Sequence, residues 1–123
     1  MHPHNLLFVE KKLISLLDFD SIVEIPVGFS IAYSSLKQCR QTIAYNRDFQ
    51  AASKIGKAYI DSLRINLEIG DIEWLNNFKA LAQIETLRRV GIILQLNLEG
   101  NNVWNKVLPI LISHLYEAEE LFD

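Results

Sequence analysis

The chain says nearly the same thing twice. "RINLEIGDIEWLNNF" spans Arg64 to Phe78, and about thirty residues further on "QLNLEGNNVWNKV" spans Gln95 to Val107. Each phrase reads Asn-Leu-Glu, then Gly, then Asp or Asn, then an apolar residue shortly before a Trp. In isolation "INLEI" alternates like a strand, and Gly-Asp suits a two-residue hairpin turn. The flanks decide otherwise. Ile60, Leu63 and Leu67 approach Gly70 at helical spacing, and Leu87, Val90, Leu94 and Leu98 approach Gly100 in the same way. A Gly just past the last periodic residue stops a helix, because it takes the left-handed conformation at little cost. Asp71, and Asn101 or Asn102, then offer capping side chains for the helices that follow. The doubled phrase reads as two helix ends, each followed by a Trp that anchors the next helix. Two copies are too few for a solenoid of helical repeats.

The remaining periodicity fills in an all-α chain. Leu6, Val9, Leu13, Leu16 and Leu17 predict a short first helix over Asn5–Leu17. Pro26 and Gly28 interrupt "DFDSIVEIPVGFSIAY", which reads as a packed connector. Ser30 is placed to cap a second helix carrying Ile31, Leu36, Cys39 and Ile43 on one side. The apolar stripe changes phase at "YNRDF", so Asp48 is read as the N-cap of a third helix with Phe49, Ala52, Ile55, Tyr59, Leu63 and Leu67 inward. The competing reading is one long helix through Asn46. A fourth helix is expected over Ile72–Leu98, with Trp74, Leu75, Phe78, Leu81 and Leu87 inward and Gly91 as a weak point. A fifth is expected over Val103–Phe122, kinked at Pro109. The expected architecture is an antiparallel four-helix bundle with a short extra N-terminal helix, forming one domain over residues 1–123.

Composition supports this and excludes other classes. Half of the 123 residues are hydrophobic and 22% are charged, which fits a packed domain and excludes a disordered tail. With 5 Gly and 3 Pro, the turns that a β-sandwich needs are lacking. One Cys allows no internal disulfide, and no apolar run approaches the ~20 residues that span a bilayer. "MHPHNLLFVEKKL" lacks the basic start and long apolar core of a signal peptide, so a cytoplasmic protein is expected.

Chemistry is scarce. Glu68, Asp71 and Glu73, or Glu99 with Asn101 and Asn102, match no calcium-loop spacing and serve as caps or solvated ends. A Cys39–His114 nucleophilic pair would depend wholly on the fold, and each residue reads more simply as a packing side chain. His2 and His4 flank Pro3 at the terminus and form no zinc pattern. No phosphate loop, hydrolase triad or paired carboxylates are visible. No catalytic residue, metal or cofactor is assigned, and an enzyme is not expected.

Charge is unevenly distributed along the chain. Residues 36–64 carry six basic residues against two acidic ones, inside a chain whose net charge is −3. Lys37, Arg40, Arg47, Lys54, Lys57 and Arg64 are therefore the candidate contacts for a partner or for phosphates. The acidic end "YEAEELFD" opposes the helix dipole and reads as a frayed, solubilising terminus, with docking to a basic partner as the alternative. The hydrophobic content is high for so small a bundle, which favours a protein partner or a homodimer. The function expected is a non-enzymatic protein–protein interaction module, such as a small adaptor, inhibitor or immunity-type protein. The alternative is a small nucleoprotein subunit that contacts RNA or DNA phosphates through the basic 36–64 face.

Overall fold

In the structure, a computed structural model, residues 5–17, 24–66 and 73–122 are described. The chain is mostly helical, with one small two-stranded sheet. The sheet lies where the sequence predicts the first helix. Strands β1, Leu6–Val9, and β2, Lys12–Leu16, pair antiparallel, with Leu6 opposite Leu16 and Val9 opposite Lys12. Glu10 and Lys11 turn the chain with φ of 49° and 66°, the sense of a type I′ hairpin turn. A bulge at Leu7/Phe8 lets the pairing continue to Leu7 and Ser15. The spacing of Leu6, Val9, Leu13 and Leu16 fits a helix, but a segment this short fits a hairpin too. Here the left-handed turn, made without Gly or Asn, settles the outcome.

The helices follow. α1 is Val27–Asn46, α2 Phe49–Asn66, α3 the single turn Glu73–Asn76, α4 Phe78–Leu98 and α5 Leu108–Leu121. α1 starts at Pro26, ahead of the expected Ser30 cap, because Pro's fixed φ suits the entry to a helix. It ends at the predicted break. Arg47 adopts φ 52° and returns its N–H to the Ile43 carbonyl at 2.9 Å. The Asp48 carboxylate then accepts the Ala51 N–H at 2.8 Å, as an N-cap does. Residues 27–66 are therefore two helices.

The second copy of the doubled phrase ends α4 as expected. Gly100 lies at φ 86°, the Asn101 N–H reaches the Leu96 carbonyl at 2.8 Å, and the Gly100 N–H reaches that of Asn97 at 3.0 Å. This pair of bonds is the Schellman arrangement. What comes after Gly100 differs from expectation. The Asn101 side-chain oxygen accepts the Val103 N–H, Trp104 is half exposed, and a 3-10 turn over Asn105–Val107 leads into α5. Pro109 sits in the first turn of α5, where no intrahelical N–H is needed, so it starts the helix and does not kink it. The expected fourth helix is also divided, at Asn77. In the first copy, Leu67, Glu68, Gly70, Asp71 and Ile72 lie outside the described residues, and of Glu73 and Trp74 only the backbone is described.

α1 packs against α2, α4 and α5, and α5 packs in addition against α2 and α4. Each of these four helices contributes a fully buried alanine: Ala32, Ala52, Ala82 and Ala118. Small side chains at the contacts let helix axes approach closely. Leu36, Cys39, Leu75, Phe78 and Leu121 fill the space around them, and Ile31, Ile43, Tyr59 and Leu63 pack against the edge. Other expected inward residues face solvent: Phe49, Ile55 and Leu87 are each at least two-fifths exposed.

A candidate site at the α1–α4–α5 junction

Part of the core is polar. Ser35 of α1, Glu85 and Thr86 of α4 and His114 of α5 are fully or almost fully buried. The two hydroxyls are satisfied within their own helices: Ser35 Oγ donates to the Ala32 carbonyl and Thr86 Oγ1 to that of Ala82. Glu85 is satisfied along α4. Arg88, one turn on, donates to both its oxygens at 2.6 and 2.8 Å, and Arg89 adds a bond at 2.9 Å. Burial pushes the Glu85 carboxyl up, but the Arg88 hydrogen bonds and the two guanidinium charges outweigh it and hold the pKa below its ordinary value.

Arg89 also lies over the Tyr33 ring, with its guanidinium carbon 4.2 Å from the centroid. The Tyr33 ring in turn stands 6.2 Å from that of His114. His114 is fully buried, and neither ring nitrogen meets a protein hydrogen-bond partner. Burial, followed by the charges of Arg40, Lys37 and Arg89, lowers its pKa to about 3. It is a neutral imidazole at neutral pH.

The structure puts the six basic residues expected to act together into different settings. Arg40 turns towards this junction and ion-pairs with Glu117 of α5, while Lys37 is half-buried on the same helix. Lys57 and Arg64 line an open groove of about 590 Å³ between α2, the start of α4 and the end of α5. Ser53, Asp61, Lys79 and Phe122 share that groove. Arg47 forms the left-handed stop of α1 and, like Lys54, is exposed.

The acidic end is fastened to the fold. Glu117 binds Arg40, Glu119 accepts from Lys79 at 2.9 Å and from Gln83 at 3.2 Å, and Phe122 meets Phe78 edge-on at 5.2 Å. The expectation of a frayed terminus fails because three of its side chains have partners on α1 and α4. Cys39 packs opposite Gly56, nearly two helical turns along α1 from the Tyr33 that neighbours His114. Burial pushes its thiol up to about 11, so at neutral pH it stays protonated. Among the described residues, no group of three His, Cys, Asp or Glu is placed to hold a metal ion. His2 and His4 lie outside the described residues.

Sequence reasoning missed Glu85, Arg88 and Arg89 as members of a site. The signal was available: Glu followed by Arg at i+3 and i+4 brings both guanidinium groups onto one carboxylate. Compared with protein-family models, curated proteins and solved structures, the chain matches none.

Proposed function

We propose that the chain is a non-enzymatic interaction module that acts by binding a partner protein, and that its four long helices form an antiparallel bundle. One observation carries the reading. On α4, Ile84, Leu87, Leu94 and Leu98 fall at alternating three- and four-residue spacing, and each is at least half exposed, Leu98 by 84%. Gly91 completes the stripe in the middle, with open space where a side chain would stand. This spacing is that of a helix seam waiting for another helix, and soluble monomers rarely leave so continuous an apolar strip in water. The hairpin adds to it: Phe8, Val9, Leu13 and Ile14 are each close to half exposed.

No described helix is long and apolar enough to cross a membrane. A cytoplasmic adaptor, inhibitor or immunity-type protein fits these features, and a homodimer through α4 is its simplest form. Light scattering distinguishes self-association from a foreign partner. A mass of twice 14.1 kDa that returns to the monomer value in Leu94→Glu/Leu98→Glu supports the dimer. A monomer whose affinity-captured protein is lost in the same double variant supports a foreign partner. A monomer that retains no protein specifically contradicts the reading.

A further inference from the structure

The groove between α2, the start of α4 and the end of α5 has a volume of about 590 Å³, large enough to take a ligand. From Ser53 to Arg64 it follows α2 for about three turns, or about 16 Å, the length of about five extended residues. Lys57 and Arg64 stand on this wall about two turns apart, so they leave the same side of the helix about 10 Å from each other along its axis. Both are exposed, and among the described residues neither has an ion-pair partner. Asp61, between them, is the one carboxylate among the described lining residues. The third cation of the lining, Lys79 of α4, already donates to Glu119. Ile60 and Phe122, both half-buried, supply apolar surface, and Asn76 of α3 offers an amide.

We propose that this groove binds an extended acidic peptide of a partner protein, with two carboxylates about three residues apart on Lys57 and Arg64 and an apolar side chain between them on Ile60 and Phe122. In polyproline II geometry residues three apart share a face about 9 Å from each other, close to the spacing of the two cations. A compact small molecule would lie mostly in water in so open a groove, whereas an extended chain makes contacts along its length. Asp61 repels a phosphate but accepts a peptide N–H, and the buried Phe78 ring gives a nucleic-acid base no face to stack on. The inference rests on the reading of the chain as a module that binds proteins, but not on the α4 stripe, because the two cations stand on α2.

Fluorescence polarisation with the full chain at pH 7.5 and low salt tests the proposal with three labelled probes. These are the peptide Gly-Glu-Leu-Leu-Glu-Gly, its counterpart with both Glu replaced by Gln, and an oligothymidylate of about eight nucleotides. The acidic peptide should bind saturably below about 1 mM, and at least about tenfold more tightly than either control. Lys57→Glu and Arg64→Glu, each verified as folded by circular dichroism, should weaken its binding about tenfold or more. Leu94→Glu/Leu98→Glu should bind it as the wild type does, so failure of the α4 reading would leave this result standing. Absence of saturable binding, equal binding of either control, binding retained by either α2 variant, or binding lost in the α4 variant would overturn the proposal.

Discussion

At the residue scale, two glycines in helices have opposite roles. A Cβ at Gly56 would meet the Leu121 carbonyl oxygen at 3.0 Å, a Phe122 ring carbon at 3.2 Å and Cys39 Sγ at 3.4 Å. α2 and α5 touch at this point because nothing projects between them. Gly56→Ala should destabilise the fold by about 1–3 kcal/mol despite better helix propensity. A Cβ at Gly91 would meet nothing beyond its own helix backbone within 4 Å, so Gly91→Ala should gain about 1 kcal/mol. Urea unfolding of the two variants checks both signs.

His114 governs a second residue-scale expectation. Its folded pKa is about 3, against 6.5 as the ordinary value. Above 6.5 both states are neutral and the fold has its full stability. Below that value the unfolded chain takes up a proton that the folded chain refuses. Stability therefore falls towards pH 3, by up to about 1.4 kcal/mol per pH unit. The lowered pKa of Glu85 acts in the same direction but only below the ordinary carboxylate range, which leaves the upper part of the window to His114. His114→Leu should flatten the stability profile between about pH 6.5 and 5. It should cost little at neutral pH, since no protein hydrogen bond is lost. A slope unchanged in the variant would contradict this account of the imidazole.

At the scale of elements, the hairpin is the least supported of the described elements. Two strands alone are marginal in water, and Glu10 and Lys11 both hold left-handed conformations that non-glycine residues adopt at a cost. Glu10→Asn with Lys11→Gly supplies the pair that type I′ turns prefer. Amide exchange at Val9 and Lys12 should slow at least severalfold in that variant, and unchanged exchange would argue against the turn. The same hairpin shows what periodicity conceals. Its apolar residues fit two periods at once, and the turn lies in a charged pair without Gly or Asn. Longer elements were legible, because Asp48 and Gly100 stop or start helices by local chemistry that owes nothing to tertiary contacts. Pro109 reads as a kink in the sequence and starts α5 in the structure, because its effect depends on whether the helix has already begun.

At the scale of the whole molecule, the polar junction was partly legible and its meaning was not. Lys37 and Arg40 were identified as candidate contacts, but nothing in the sequence says that Arg40 turns towards α5 and away from Lys57 and Arg64. Glu85, Tyr33 and His114 are brought together only by helix packing. The apolar surplus is visible in composition, whereas the stripe it leaves on α4 depends on which face the core takes. The claim that this face serves a partner has its most direct test in binding. The protein captured by the wild-type chain, or the second copy in a dimer, should bind Leu94→Glu/Leu98→Glu at least about a hundredfold more weakly. The melting temperature of the isolated variant should stay within a few degrees of the wild-type monomer. Equal binding by wild type and variant, at equal stability, would contradict the account.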